Sequence, residues 1–265
     1  MSSVRSLVTA SILALGAMPV NVHAQAAPES GARIVVNIPA GRLDLYRDGA
    51  RVRSYPVSVG TASFRTPAGS YAVRHAVWNP DWVPPRSEWA RGRTRTAPGP
   101  RNPMGRVKLP LGGLYYIHGT PAENERLLGT PASHGCIRMS NRDVMELARA
   151  LHEDVAPERL DAIAAEPGRT RWVAMPRPVP VEVTYALAEV RGDRLVLHPD
   201  VYSRGGDLRR EVRSALLSTG IHPFALDGDA LAGAEAELRR GGRASLPVAG
   251  LPRQPAPVTA AAGDA

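Results

Sequence analysis

One cysteine stands in the 265-residue chain, Cys136, within the run Ser133-His134-Gly135-Cys136-Ile137-Arg138. Two of the seven histidines lie near it in sequence: His134, and His118 at the end of the run Tyr115-Tyr116-Ile117. A thiol attacks as its thiolate, so a nucleophilic cysteine needs a neighbour that removes its proton or stabilises the anion. Histidine suits that task because its ordinary pKa lies near neutrality. Gly135 lets the backbone approach a reacting group, and the N–H groups of Gly135 and Cys136 could face a developing oxyanion. Thiol, base and oxyanion donors are the minimum kit for acyl transfer. A buried structural cysteine is the bland rival. A zinc site is weaker, since two histidines and one cysteine match no zinc spacing, and no metal or other cofactor is expected.

The elements that must position these residues read as mainly β with a few helices. Strands are expected over Arg33–Ile38, Arg42–Tyr46 and Val52–Val59, with Asp48-Gly49 as a hairpin turn. Thr66-Pro67-Ala68-Gly69 turns into a further strand, and Val107–Leu109 and Leu114–Ile117 follow, the latter delivering His118. Ser140 can cap a helix whose Val144, Leu147, Ala148 and Leu151 form one apolar face, so Cys136 falls just before a helix. A short helix over Glu158–Ala165 stops at Pro167-Gly168, and Arg171–Met175, Val179–Val190 and Arg194–Leu197 read as strands. Asp207–Leu217 has helical spacing. The stretch Trp78–Pro100 is long, irregular and carries Trp78, Trp82 and Trp89. It is either a lid or binding loop, or a surface excursion pinned by packed tryptophans.

The whole chain narrows the class. It carries 25 Gly, 25 Pro and only 2 Phe, a mixture that favours turns and short strands over a helical bundle. Its formal charge is +8, yet it shows no nucleic-acid module and no basic patch interleaved with aromatics, so no nucleic-acid partner is expected. Residues 1–24 read as a cleavable secretory signal, with Arg5 at the start, an apolar Leu7–Val20 and Val22-His23-Ala24 at the cleavage site. In an oxidising compartment, the periplasm, an unpaired cysteine fits a working thiol, with an intermolecular disulfide as the bland rival. The division expected is signal 1–24, linker 25–32, a catalytic domain at 33–204, the stretch over which the chain resembles a known family, helical extension 205–240 and a disordered tail 241–265.

At this point the sequence resembles the L,D-transpeptidases of the bacterial cell wall. Their signature is a histidine, about fifteen variable residues, then Ser/Thr-His-Gly-Cys, an apolar residue and Asn or Arg. Here it reads His118, fourteen residues, then Ser133 to Arg138. Thr66-Pro67-Ala68-Gly69 and Asn102-Pro103-Met104-Gly105 look like two further family segments, and Pro178–Tyr202 looks like strands that follow the signature in some members.

The resemblance implies a β-rich catalytic domain, a mixed sheet or sandwich. Cys136 would attack the bond between diaminopimelate and terminal D-alanine of a peptidoglycan tetrapeptide stem. A thioester forms, and an amine of another stem resolves it to a 3→3 cross-link. By motif position His118 is the general base, the Gly119 carbonyl orients it, His134 shapes the site and Gly135 supplies an oxyanion N–H. Arg138, Ser133 and Tyr116 are the substrate-contact candidates. His134 and Ser133 have a second reading, as residues that merely hold the turn. Tyr115 and Tyr116 alternate across a strand, so only one of them faces substrate. His75, His152, His198 and His222 read as surface or structural. Carbapenems are the expected covalent inhibitors. Hydrolysis of the same acyl-enzyme, by an L,D-carboxypeptidase or amidase, is the first alternative, and a non-catalytic wall-binding protein is the second. A reactive site predicts a Cys136 pKa below the ordinary ~8.5, and a binding protein an ordinary one.

Overall fold

The computed structural model describes residues 31–253. The expected signal, most of the linker and residues 254–265 lie outside the described residues.

The chain opens with β1 (Ala32–Asn37), β2 (Arg42–Arg47) and β3 (Ala50–Pro56) as an antiparallel meander. Asp48 and Gly49 make the tight turn between β2 and β3, both at positive φ (48° and 79°), which the twist of a two-residue hairpin requires. A short β4 (Val59–Gly60) precedes the ten-residue β5 (Gly69–Trp78). After a long loop come β6 (Val107–Gly112), β7 (Tyr115–Gly119), β8 (Pro131–Ser133) and β9 (Ile137–Met139). Helices α1 (Asn141–Leu151) and α2 (Pro157–Ala165) lead to β10 (Arg171–Thr184).

Eight of these strands form one mixed sheet in the order β3-β2-β1-β10-β5-β6-β7-β9, with β1/β10 and β7/β9 parallel. One face packs Ile34, Leu43, Leu109, Ile117 and Ile137 with Val144, Leu147 and Leu151 of α1, all buried. Ser140 begins α1 as expected, its hydroxyl accepting from the Asp143 N–H at 3.0 Å. The two strands expected over Arg171–Met175 and Val179–Val190 are instead one bulged strand, β10, which ends at Thr184. The bulge falls between Ala174 and Val179, where Pro176 and Pro178 cannot donate to the ladder.

Beyond β10 lies a second, smaller unit: β11 (Ala188–Arg191), β12 (Arg194–Leu197), α3 (Leu208–Leu217), α4 (Gly228–Arg239) and β13 (Ala244–Pro247). Leu195, Leu197, Val212, Leu216, Ile221 and Val248 form its core. Two expectations are corrected here. The strands β11 and β12, placed in the catalytic domain by the 33–204 boundary, pack with the C-terminal helices instead. The tail expected to be disordered from 241 begins with a strand, because Ala244–Pro247 hydrogen-bonds to β12 and fills an edge that would otherwise be open. Small residues and four-residue length left no periodic signal for it.

Candidate active site

Strands β7 and β9 run parallel in register, Ile117 beside Ile137 and His118 beside Arg138. Side chains alternate across a sheet, so with Ile117 and Ile137 in the core, Tyr116, His118 and Arg138 share the opposite face. Cys136 lies at the bend just before β9 and meets Tyr116, the residue two before His118. The crossover that makes β7 and β9 neighbours therefore brings together residues far apart in sequence. Cys136 stands two positions before Arg138, the ladder neighbour of His118, so the register sets the cysteine and the histidine at the same end of the strand pair.

His118 is buried, and its Nδ1 lies 2.6 Å from the carbonyl oxygen of Gly119. That oxygen can only accept, so Nδ1 carries the proton and Nε2 is left as the free lone pair. Burial pushes the His118 pKa down to about 3, with Arg138 and Lys108 adding to the depression against the opposing effect of the Gly119 carbonyl. The ring is neutral at neutral pH.

The Cys136 thiol is half-buried and donates to the Leu114 carbonyl at 3.4 Å. Burial pushes its pKa up, against the pull of the Tyr116 backbone and of Arg138. The expectation of a depressed thiol pKa is thus reversed: desolvation outweighs the neighbouring cation. Both shifts favour the neutral forms, thiol and imidazole, so any attack by this thiol would have to be accompanied by its deprotonation.

The oxyanion donors also need correction. Gly135 stands at φ 107°, a conformation for glycine, and a Cβ there would lie 2.9 Å from the Tyr115 ring. Its N–H donates to Ser133 Oγ at 3.0 Å and is already committed. Cys136 precedes β9, so its own N–H is outside the ladder, and among the described residues no loop or side-chain acceptor takes it. The Cys136 N–H is the donor this geometry offers.

The YkuD family model, the L,D-transpeptidase catalytic domain, matches residues 31–181, more than half of the chain. The chain belongs to this family. It is 35% identical over 158 residues to a probable L,D-transpeptidase ErfK/SrfK of Salmonella typhimurium, covering 55% of this chain and 50% of that one. It is 29% identical over 202 residues to a probable L,D-transpeptidase YbiS of Escherichia coli, covering 65% of each. The chain thus spans about half to two thirds of the length of these relatives. A crystal structure of L,D-transpeptidase 3 from Mycobacterium tuberculosis aligns with a TM-score of 0.39 and 19% identity, over 58% of this chain and 60% of that one, too loosely to inform the site.

The remaining residues of this L,D-transpeptidase domain divide between turn and surface. Ser133, carried as a substrate contact, is buried and closes the Ser133–Cys136 turn, donating to the Cys136 carbonyl at 2.5 Å while accepting from Gly135. Arg138 braces the preceding strand by donating to Ala132 O at 3.1 Å. Tyr116 faces the site with Lys108 over its ring at 5.5 Å, while Tyr115 packs toward the core and Gly135.

His134 is held by aromatic rings. Trp89 stacks on it at 4.2 Å and Phe64 meets it edge-on at 4.7 Å. The long loop follows the second expected reading, an excursion pinned by packed tryptophans. Its base is pinned, with Trp78 in the core, Trp82 bridged to Thr96, and the Asn102 amide donating to the Pro80, Thr96 and Ala97 carbonyls. Its tip lies against the catalytic turn. The Asn102–Gly105 segment does a second job: Gly105, at φ 62°, packs so closely on Gly119 that a Cβ would come within 2.5 Å of its carbonyl carbon. Of the other histidines, His152 is buried between the Ala148 and Val173 carbonyls, His198 bonds Glu189, and His75 stacks on Trp172.

Sequence reasoning missed Lys108. It stands directly beside His118 on β6, and burial lowers its pKa. The signal was there, since it is the only lysine in a chain rich in arginine.

Proposed function

We propose that this protein is an exported cysteine acyltransferase that acts as an L,D-transpeptidase on diaminopimelate-containing peptidoglycan stems in the periplasm. What supports the reading is the register that sets Cys136 two positions before Arg138, the ladder neighbour of His118, together with a neutral His118 whose Nδ1 is committed to Gly119 and a Cys136 N–H with no loop or side-chain acceptor among the described residues.

In this reading His118 Nε2 takes the thiol proton as Sγ attacks the carbonyl between diaminopimelate and D-alanine. The oxyanion points at the Cys136 N–H. Collapse expels D-alanine, whose nitrogen takes the proton back from His118, and leaves a thioester. The acceptor amine then attacks, losing its proton to the same Nε2, and the thiol is regenerated. Arg138 and Lys108 place positive charge beside the pair, suited to the carboxylates of the stem. In this reading carbapenems are the expected inhibitors, by acylation of Sγ.

The test is incubation of protein lacking residues 1–24 with tetrapeptide muropeptides, followed by liquid chromatography and mass spectrometry. Tripeptide–tetrapeptide dimers that disappear in Cys136→Ala support transpeptidation. Free tripeptide alone would replace it with hydrolysis of the same acyl-enzyme, and no turnover would overturn both.

A further inference from the structure

We infer that Thr66, held in place by Tyr202, is a positioning residue that orients and polarises the peptide group whose N–H receives the oxyanion. This rests on the acyl-transfer reading above. Thr66 lies outside the His–Ser-His-Gly-Cys signature, 70 residues from Cys136. Its side chain is nevertheless buried against the catalytic turn: Oγ1 donates to the Gly135 carbonyl at 2.9 Å.

The proton assignment is forced. The Gly60 N–H donates to Thr66 Oγ1 at 2.8 Å, so the hydroxyl accepts there, and its own hydrogen goes to Gly135 O, which can only accept. The same logic fixes the residue behind it. The Thr66 N–H donates to the Tyr202 hydroxyl at 3.0 Å, and that hydroxyl donates to the Gly60 carbonyl at 2.9 Å. Tyr202 is fully buried, and Arg65 donates to its backbone carbonyl. Two hydroxyls, each donating one hydrogen bond and accepting one, therefore tie together the ends of the turn from Gly60 to Thr66.

The target of this chain is significant. Gly135 C=O and Cys136 N–H belong to one planar, trans peptide unit, so they point in opposite directions. A donor fixed on the carbonyl side aims the N–H away from it, into the site. Hydrogen bonds in series also polarise one another, so donation to Gly135 O makes the Cys136 N–H a stronger donor. Such preorganisation acts in the transition state, where the oxyanion forms, and leaves ground-state binding untouched.

Thr66→Val keeps the shape and removes the hydroxyl, and Thr66→Ser restores it. Two readouts on the full mature chain decide the matter. In nuclear magnetic resonance spectra, the Cys136 amide nitrogen should move upfield in Thr66→Val and return in Thr66→Ser. This needs no turnover, so it stands even if the transpeptidase reading fails. In kinetics, Thr66→Val should acylate with a carbapenem about tenfold more slowly, below the loss for deleting an oxyanion donor outright. Iodoacetamide alkylation, which forms no oxyanion, should be unchanged. An unmoved Cys136 amide, or an equal loss in acylation and alkylation, would overturn the role of Thr66. Failure of the wild-type protein to acylate would instead count against the acyl-transfer reading, leaving the amide shift to decide for Thr66.

Discussion

At the scale of single residues, the site is governed by desolvation. His118 and Cys136 both lose water, and each is pushed toward its neutral form. A preformed thiolate–imidazolium pair would need the opposite shifts. Alkylation of Cys136 by iodoacetamide should therefore keep rising as pH is raised past ~8.5, the ordinary thiol value, because the thiolate fraction grows until the raised pKa is passed. His118→Asn should leave that profile nearly unchanged and cost acyl transfer roughly 10²–10⁴-fold, the usual worth of a general base. A plateau of alkylation already reached below pH 7 would show an ion pair and refute the neutral dyad. The candidacy of these two residues was legible in the sequence, because a lone cysteine beside glycine and histidine has few explanations. Their protonation was not. It depends on burial, which spacing does not reveal, and so does the use of the Gly135 N–H by Ser133.

At the scale of elements, the candidate site lies at the ends of β7 and β9, with the long loop packed against it. The strand delivering His118 was readable, whereas β9, only three residues long, and its pairing with β7 were not. The partner of the long loop was not, since aromatic stacking between Trp89 and His134 leaves no periodic trace. The pair fixes the loop tip on the catalytic turn. Trp89→Ala should release it, lowering stability by about 1 kcal/mol, the worth of an aromatic pair. Amide exchange across residues 82–96 should quicken, and the KM for muropeptide should rise several-fold with alkylation of Cys136 little changed. Unaltered exchange in that segment would mean that the pinned base alone holds the loop.

At the scale of the whole molecule, the second unit is joined to the sheet by charge. Arg42 on β2 forms a bidentate pair with Glu189 on β11 at 2.7 and 2.5 Å, and Arg191 reaches Asp44 at 2.9 Å. Arg243 donates to Ala40 O and to Gly129 O, just ahead of β8. None of this was legible, because pairings between residues some 150 positions apart have no local pattern; that gap also explains the misplaced domain boundary and the unforeseen β13. Burial alone would raise the Glu189 pKa, but hydrogen bonds from His198 and Arg42 bring it to about 2. Asp44 is lowered likewise, against burial, by Ser54, Arg191 and Arg42. Both carboxylates bind fewer protons folded than unfolded. The stability they contribute is present above the ordinary carboxylate pKa of about 4 and is lost as pH falls toward 2. Glu189→Gln should start less stable at pH 7 and lose less melting temperature between pH 5 and 2 than the wild type. Parallel losses in the two proteins would place the acid-sensitive contacts elsewhere.

The central claim is that Cys136 carries an acyl group between two stems. The most direct measurement is the intact mass of the protein quenched in acid during turnover of a tetrapeptide stem. The account predicts an adduct equal to the stem minus D-alanine, mapped to Cys136 by peptide sequencing, removed by an added amine acceptor and absent in Cys136→Ala. Turnover without any adduct at Cys136, or an adduct that survives that substitution, would contradict it.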